Sequence, residues 1–316
     1  MHHPSDAPTT SVQTALITGA TSGLGLELAK SLLDHSNAHL VLPVRNAERG
    51  QALRTALGRR SQSRLSTPLM DLGSLSSVQI GAAAIIQSLR HPLDAVMLNA
   101  GVQSANRLLY TDDQLEQTFA VNHLAHHLLL RALEPRLAGS ATVGWVGSGT
   151  HLPDGAKTFG YTGAHYLAAD LLSKGRYPSR GAQASRDAYS TSKGLNIVSA
   201  RHWARLMAQA HPGRRFFALD PGLMPGTGLA REGSAVQRFG WNYILPLAAR
   251  VMKRTSTPQR SAMMLAEILL RRRSIANGDY VEFTGHILAP FLPPDEHRYA
   301  EALFAFSDRA EAPVTP

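Results

Sequence analysis

A tyrosine and a lysine four residues apart are the side chains of this sequence best suited to acid–base chemistry. Tyr189 and Lys193 belong to the segment YSTSK, which opens a stretch with helical periodicity, so both project from one helix face. A nearby ammonium favours the phenolate, and we expect it to lower the pKa of Tyr189 from about 10 toward neutrality. The spacing also arises by chance, so its meaning depends on the surrounding sequence.

Three glycines form a loop that could hold a phosphate. The segment TGATSGLG lies between a predicted strand and a predicted helix. Glycine lets the backbone approach a pyrophosphate closely, and a helix N-terminus offers unpaired N–H groups. We expect a dinucleotide at this loop, contacted by Gly19, Thr21, Ser22, Gly23, Leu24 and Gly25.

The end of the second predicted strand bears on which nicotinamide cofactor would bind. An acidic residue there would bind the adenosine ribose, whereas a basic one would meet a 2′-phosphate. The strand ends Pro43-Val44-Arg45, without an acid, and a guanidinium pairs with phosphate through its planar fork. The sequence favours NADP(H) over NAD(H), with the alternative that Arg45 merely starts the next helix.

The order of predicted elements indicates how these residues are positioned. Apolar and β-branched runs alternate with helical segments, a pattern typical of βαβ units. The predicted strands are Thr14–Thr18, His39–Val44, Leu65–Met70, Ala95–Leu98, Thr142–Val146, Arg215–Leu219 and Tyr280–Phe283. The predicted crossover helices include Leu24–Leu33, Leu75–Leu89 and Leu115–Leu137. We expect an α/β fold with a three-layer, doubly wound (Rossmann) parallel sheet of about seven strands.

Composition excludes several kinds of chemistry. The chain of 316 residues has no cysteine, which excludes disulfides, Cys-ligated metals and thiol catalysis. The net charge is +9, and 27 of its 32 basic residues are arginine. The arginines are scattered except at Arg271–Arg273, and no nucleic-acid-binding motif accompanies them, so we expect no nucleic-acid partner. His123, His126, His127 and His151 have no acidic or thiol partner at ligand spacing, and we predict no catalytic metal.

The ends of the chain and its hydropathy bear on location. Residues 1–11 are polar and lack the apolar segment of a secretory signal. We therefore expect a disordered N-terminal lead followed by a single domain over residues 12–316. We also expect the protein to be cytoplasmic. No apolar run reaches about 18 residues, which predicts no membrane span and leaves peripheral contact with a membrane open.

Further motifs stand in a fixed order around the tyrosine and lysine. They are Asp71-Leu72, Leu98-Asn99-Ala100-Gly101, Phe119-Ala-Val-Asn122, Val146-Gly-Ser148 and Pro221-Gly222. Together with TGATSGLG and the YSTSK segment, they make the chain resemble the short-chain dehydrogenase/reductase family from about Thr14 to Phe283. Within that family it resembles the retinol dehydrogenase and protochlorophyllide reductase branch.

The resemblance implies a role for each motif. Ser148 would hydrogen-bond the substrate oxygen, Tyr189 would exchange the proton, and Lys193 would lower the pKa of Tyr189 and bind the nicotinamide ribose. Asn122 would order a water that relays protons. The other residues implied to contact the cofactor are Asp71, Leu72, Asn99, Ala100, Gly101, Pro221 and Gly222. Taken singly, Ser148 could cap a turn, Asn122 could be satisfied within its helix, and Asn99 could end a strand.

Two segments depart from the compact family pattern. Residues 152–187 separate Ser148 from the helix expected near Ala188, and indicate an inserted loop over the active site. Residues 223–256 could cover a hydrophobic substrate, or their apolar helix around Trp241 could pack on the core. Thr227 lies one position beyond the family's usual threonine, so its role stays open.

These observations predict an NADP(H)-dependent oxidoreductase. It would interconvert a carbonyl and an alcohol, or reduce a related double bond, on a lipophilic small molecule, as a homodimer or a monomer. The absence of cysteine counts against light-driven protochlorophyllide chemistry. The alternatives are a non-catalytic NADP(H)-sensing scaffold of the same fold, and a sugar epimerase or dehydratase, for which a different glycine spacing and a larger C-terminal domain are expected.

Overall fold

A parallel sheet of seven strands forms the middle layer of the computed structural model, which describes residues 12–155, 159–224 and 255–310. The strand order is β3-β2-β1-β4-β5-β6-β7, and every neighbouring pair is parallel. The strands are β1 (Thr14–Ile17), β2 (His39–Val41), β3 (Leu65–Ser66), β4 (Leu93–Leu98), β5 (Leu137–Val146), β6 (Arg215–Asp220) and β7 (Tyr280–Glu282). The predicted doubly wound α/β sheet is confirmed.

Helices cover both faces of this sheet. They are α1 (Gly23–His35), α2 (Ala47–Leu57), α3 (Leu75–Ser88), α4 (Gln117–Phe119), α5 (Ala125–Leu133), α6 (Ala169–Ser173), α7 (Gly181–Met207), α8 (Pro258–Leu269) and α9 (Glu296–Arg309). A π-helical turn, Ala120–Leu124, joins α4 to α5, and 3₁₀ turns occupy Arg59–Arg64, Glu134–Arg136 and Gly149–His151.

Two hydrophobic cores account for the three layers. One lies between the sheet and helices α1 and α8, and the other between the sheet and helices α3, α5 and α7. Successive residues of a strand point to opposite faces, so Leu16 of β1 enters one core while Ala15 and Ile17 enter the other. Burial on both faces explains why the strands are continuous apolar runs.

Several predicted boundaries are wrong, for identifiable reasons. β2 and β3 end at Val41 and Ser66, well short of the predicted Val44 and Met70. Pro43 and Pro68 follow these ends, and proline has no N–H to extend the hydrogen-bonded ladder. In the other direction, β5 begins at Leu137, five residues before the predicted start.

The predicted helix Leu115–Leu137 is divided in the structure. Glu116 accepts hydrogen bonds from the N–H groups of Thr118 and Phe119 and so caps α4, and the π-helical turn separates α4 from α5. The helix then tightens into the 3₁₀ turn that contains Pro135. Proline is compatible with the start of such a turn but not with a continuing helix.

Helix α7 begins at Gly181, not near Ala188. Ala182, Gln183 and Ala184 have high helix propensity, which outweighs the loop-like composition of the preceding residues. The last seven residues of the predicted 152–187 insertion therefore belong to α7, and α6 lies within the remainder. Residues 223–256, the segment predicted to cover the substrate, lie outside the described residues except at the two ends of the segment. Thr227 and Trp241 within this segment, and the N-terminal lead at residues 1–11, also lie outside the described residues.

The topology creates a crevice at one edge of the sheet. β1 pairs with both β2 and β4, so the chain direction across the sheet reverses there. The carboxyl ends of parallel strands at such a switch point form the ligand crevice of doubly wound folds. Among the described helices, none is both long enough and apolar enough to cross a membrane.

Candidate active site

The loop between β1 and α1 passes against the end of β4. At Gly19 φ is +68°, and a β-carbon there would lie 2.8 Å from the Cα of Ala100. A β-carbon at Gly25 would lie 2.5 Å from the carbonyl oxygen of Gly19 and 2.6 Å from the Nδ2 of Asn99. Only glycine fits these positions, so the predicted loop is shaped by close backbone contact.

The N-terminus of α1 offers donors to an anion. Ser22 is the N-cap residue, but its side chain makes no capping hydrogen bond, and the first turn contains no acidic residue. The first N–H groups of a helix lack intrahelical partners and carry a partial positive charge. Thr21, Ser22 and Gly23 are half-buried, while Leu24 and Gly25 are buried, so this turn presents mainly backbone to a ligand.

Asn99 ties the loop after β4 to the glycine loop. Its Nδ2 donates to the carbonyl oxygens of Thr18 at 2.8 Å and Gly19 at 3.2 Å. The backbone N–H groups of Asn99 and Ala100 both donate to the hydroxyl of Thr18, at 2.9 and 3.0 Å. The predicted cofactor residues after β4 thus hold the two loops together.

Arg45 lies just beyond β2, in front of the next helix. A bridge between Val44 and Leu69 continues the β2–β3 pairing past the strands. Arg45 follows it and is exposed. Helix α2 starts only at Ala47, with Asn46 as its capping residue. The alternative that Arg45 is the first residue of a helix is therefore wrong.

Asp71 and Leu72 occupy the turn between β3 and α3. The carboxylate of Asp71 accepts the N–H of Gly73 at 2.9 Å, and its own N–H donates to Ser77 at 2.9 Å. Both predicted residues are half-buried. They lie beyond the carboxyl end of the sheet, the edge at which the glycine loop also lies.

Tyr189 and Lys193 lie on α7 and are 7% and 3% exposed. The Nζ of Lys193 is 5.4 Å from the centre of the Tyr189 ring and donates to the carbonyl oxygen of Val146 at 3.1 Å. A β-carbon at Gly101 would lie 3.4 Å from both this Nζ and the Oδ1 of Asn122. The fold therefore brings Lys193, Gly101 and Asn122 to one place.

Burial controls the ionisation of the pair. It lowers the pKa of Lys193 to about 8. It also raises the pKa of Tyr189, as do Tyr161 and Asp220 to a smaller degree, while a hydrogen bond with Ser148 acts in the opposite direction. The expected lowering of the Tyr189 pKa is therefore wrong for the protein by itself, because burial is the largest influence and raises it.

Ser148 follows β5 and begins the 3₁₀ turn Gly149–His151. Its hydroxyl accepts the N–H of Thr150 at 3.3 Å, and it also influences the pKa of Tyr189. Ser148 thus both caps a turn and lies beside the tyrosine. His151, which is fully buried, places its Nδ1 2.6 Å from the carbonyl oxygen of Ser148, while its Nε2 accepts the N–H of Phe291 at 3.1 Å.

Asn122 lies in the π-helical turn, a local geometry frequent at functional sites. Its Oδ1 accepts the N–H of Val102 at 2.7 Å, and its Nδ2 donates to the Val102 carbonyl and to the Ser192 hydroxyl, both at 3.0 Å. Ser192 in turn donates to the carbonyl of Tyr189 at 2.7 Å. The side chain therefore connects the loop after β4 to α7.

Comparisons with known proteins give a consistent result. The family model for short chain dehydrogenase matches residues 13–164. The WW domain-containing oxidoreductase of Gallus gallus is 34% identical over 213 residues, 64% of this chain and 49% of that protein. Chloroplastic protochlorophyllide reductase B of Oryza sativa subsp. japonica is 33% identical over 245 residues, 72% of this chain and 60% of that protein.

These matches support membership of the short-chain dehydrogenase/reductase family. The fold of the chain also matches the NADPH-bound carbonyl reductase from chicken fatty liver, with a TM-score of 0.63 and 19% identity over 88% of this chain and 99% of that one. The chain spans about half the length of the WW domain-containing relatives that it matches. The matched residues of the family model end before Tyr189 and Lys193, so the tyrosine–lysine pair rests on its own geometry.

Sequence reasoning missed three residues of this site. The ring of Tyr161 lies 6.1 Å from that of Tyr189, and its hydroxyl accepts a hydrogen bond from the side chain of Gln103 at 2.9 Å. Asp220, at the end of β6, accepts the N–H of Gly222 at 3.0 Å. A tyrosine within an inserted loop is a weak signal of such a role, and nothing in the sequence predicted the role of Gln103.

The predicted Pro221-Gly222 turn begins the segment that lies mostly outside the described residues. Gly222 has a φ of +74°, and the carbonyl of Pro221 accepts the hydroxyl of Ser261 on α8 at 2.7 Å. These contacts direct the chain away from β6 at the same edge of the sheet as Ser148.

The four histidines considered as metal ligands are all buried. In residues 12–155, 159–224 and 255–310, no three histidine or acidic side chains are grouped as metal ligands would be. His127 instead pairs with Asp308 of α9 at 2.8 Å.

Proposed function

We propose that this protein is an NADP(H)-dependent oxidoreductase that interconverts a carbonyl and an alcohol on a lipophilic small molecule. The observation that carries the proposal is the meeting of Tyr189, Lys193, Ser148 and Asn122 at the carboxyl edge of the sheet, beside the glycine loop. They come from three separate parts of the chain, namely α7, the turn after β5 and the π-helical turn, and packing at this edge brings them together.

The residues at the crevice fit a nicotinamide dinucleotide. The uncapped N-terminus of α1 and the glycine backbone before it suit a pyrophosphate. The exposed Arg45 beyond β2 suits a 2′-phosphate. By the family resemblance, Lys193 would bind the nicotinamide ribose, and Asn99 and Gly101 would also contact the cofactor. The NADPH in the chicken carbonyl reductase structure also supports this choice of cofactor.

When bound, the nicotinamide supplies or accepts the hydride. The chain's own groups handle the substrate oxygen and its proton. The hydroxyls of Ser148 and Tyr189 would donate hydrogen bonds to that oxygen, which stabilises the negative charge that develops on it during reduction. Because burial raises the pKa of Tyr189, its phenol holds a proton at neutral pH and can transfer it to the oxygen.

Asn122 would hold a water through which a proton could return from solvent to Tyr189. Its side chain is fully engaged with Val102 and Ser192, so the carbonyl group is the part that would bind the relay water. Lys193 is anchored on Val146 and would hold the cofactor ribose.

The substrate class follows from the side chains beside Tyr189. The half-buried ring of Tyr161 presents an apolar face to the site, and the Gln103–Tyr161 hydrogen bond adds a polar edge. We expect an aromatic or otherwise lipophilic ketone, aldehyde or conjugated enone. The compartment stays a prediction, and several relatives are chloroplastic by name.

The test is consumption of NADPH across a panel of ketones, aldehydes and conjugated enones. Turnover of at least one member supports the proposal. NADPH binding without turnover of any member would favour the non-catalytic sensing alternative, and no binding of either nicotinamide dinucleotide would refute the proposal.

The cofactor preference has a separate test. In Arg45→Ala, the affinity for NADPH should fall about tenfold to a hundredfold, because a charge-assisted hydrogen bond is worth about 1.5–3 kcal/mol, while the affinity for NADH stays unchanged. Arg59→Ala is the matched control, since Arg59 is an exposed arginine beyond the opposite end of α2. Unchanged discrimination in Arg45→Ala would remove Arg45 from the cofactor site.

A further inference from the structure

His126 is a fully buried histidine that bridges two parts of the site. Its Nε2 lies 3.0 Å from the hydroxyl oxygen of Thr18 at the end of β1. Its Nδ1 lies 3.1 Å from the carbonyl oxygen of Asn122 in the π-helical turn. The ring therefore contacts both the residue that organises the cofactor loops and the residue proposed to hold the relay water.

The hydrogen-bond inventory of Thr18 fixes the direction of these bonds. A hydroxyl has one hydrogen and two acceptor lone pairs. The N–H groups of Asn99 and Ala100 already donate to this oxygen at 2.9 and 3.0 Å, which uses both lone pairs. The hydroxyl hydrogen of Thr18 must then point to His126, whose Nε2 is the acceptor.

The second nitrogen of His126 follows by elimination. A neutral imidazole with an acceptor Nε2 carries its hydrogen on Nδ1. This N–H donates to the carbonyl oxygen of Asn122, which can only accept. Burial lowers the pKa of His126 to about 4, so the neutral ring is the form present at neutral pH. Thr18, His126 and Asn122 therefore form a single directed chain.

The chain continues to the catalytic helix. The side chain of Asn122 donates to Ser192, which donates to the carbonyl of Tyr189. An unbroken series of contacts thus runs from the backbone of Ala100 to that of Tyr189, and all of its side chains are buried.

We propose that His126, in its Nδ1–H form, is a positioning residue that sets the Asn122 carbonyl and the Thr18 hydroxyl relative to each other. The inference rests on the proposed function. His126 donates to the Asn122 carbonyl, which is the same group that would bind the relay water. At the opposite side of the ring, His126 fixes the hydroxyl that holds the loop after β4 in place.

Nuclear magnetic resonance of the full chain with ¹⁵N-labelled histidine tests the tautomer directly. The signal of His126 is assigned by its loss in His126→Asn. The expected spectrum at neutral pH shows a protonated Nδ1 and an unprotonated Nε2. A protonated Nε2, whether in the other tautomer or in the imidazolium, would overturn the proposal. This measurement needs no turnover, so it is independent of whether the proposed reaction is right.

Substitutions test the positioning role. His126→Phe keeps a ring but removes both hydrogen bonds, and should weaken NADPH binding about tenfold and lower kcat by at least as much. His126→Asn retains an N–H near Nδ1 and should recover part of kcat. Thr18→Val should weaken NADPH binding at least as much, because it also leaves the N–H groups of Asn99 and Ala100 without their acceptor. Adding His126→Phe to it should weaken binding less than His126→Phe does in the wild type, because the Thr18–His126 hydrogen bond is already lost.

His127→Phe is the matched control, because His127 is the next buried residue of the same helix and contacts Asp308 instead. It should lower thermal stability while leaving the NADPH Kd and kcat unchanged. If His126→Phe behaved in the same way, with loss of stability alone, His126 would be structural and the proposal would be wrong. Additive effects of Thr18→Val and His126→Phe on the NADPH Kd would also contradict it.

Discussion

Substituting Gly25 by alanine should damage both the glycine loop and cofactor binding. The added β-carbon would lie 2.5 Å from the carbonyl oxygen of Gly19 and 2.6 Å from the Nδ2 of Asn99. Both distances are far below ordinary contact, and one of the atoms belongs to the backbone, so the loop or the start of α1 must move. Overpacking of this kind costs about 1–3 kcal/mol, which for a chain of this length corresponds to a fall in Tm of about 2–5 °C.

The effect on the cofactor follows from the same displacement. Moving the first N–H groups of α1 removes at least one hydrogen bond to a charged phosphate, worth about 1.5–3 kcal/mol. The NADPH Kd of Gly25→Ala should therefore rise about tenfold to a hundredfold. Fluorescence titration measures the Kd, and calorimetry of the cofactor-free protein measures the Tm.

Gly139→Ala is the matched control for this prediction. A β-carbon at Gly139 meets no heavy atom within 4 Å, and the residue lies near the start of β5, away from the crevice. Its Tm and NADPH Kd should match those of the wild type. A Gly25→Ala variant with a reduced Tm but the wild-type Kd would show that the loop is structural only, and a variant unchanged in both would refute the geometry.

Three further predictions concern the rest of the structure. Lys193→Met should abolish turnover yet raise the Tm of the cofactor-free protein, because it removes a buried ammonium whose pKa burial lowers to about 8. The Val146 carbonyl keeps a hydrogen bond in this variant, since Asn196 also donates to it. An unchanged or lower Tm would contradict this prediction. Burial by itself would raise the pKa of the Asp187 carboxyl group, but the hydrogen bonds that it accepts have the larger effect and lower this pKa to about 2. In the unfolded chain the pKa is about 3.9. The resulting contribution to the free energy of unfolding, about 2 kcal/mol, is present above pH 4 and lost toward pH 2. In urea unfolding, Asp187→Asn should therefore be less stable than the wild type at pH 7 and equally stable near pH 2. A difference in stability that does not change with pH would refute this linkage. Helix α9 packs against α5 and α7, so light scattering should give a monomer of 34.1 kDa rather than a dimer paired through those helices.

The sheet and the order of the motifs could be predicted from the sequence because both depend on local patterns. Apolar runs bounded by turns specify buried parallel strands, and glycine spacing after the first strand specifies the loop. Strand ends were less predictable, although Pro43 and Pro68 show after the fact why β2 and β3 stop early. The π-helical turn around Asn122 has no sequence pattern that predicts it.

The finer features of the site depend on contacts between distant residues. Asn122 binds Val102 and Ser192 through its side chain, and Tyr161 lies beside Tyr189, 28 positions later in the chain. Neither contact can be read from spacing. The pKa of Tyr189 was mispredicted because the sequence displays the charge of Lys193 but not the depth at which both groups are buried, and burial has the larger effect.

The most direct test of the proposed chemistry compares Tyr189→Phe with the wild type in the presence of NADPH and a carbonyl compound that the wild type reduces. The substitution removes one hydroxyl and keeps the ring, so packing and cofactor binding are preserved. The account predicts an unchanged NADPH Kd with a loss of kcat of about a hundredfold or more, in line with the loss of general acid catalysis. A Tyr189→Phe variant that binds NADPH and reduces the same compound at the wild-type rate would contradict it.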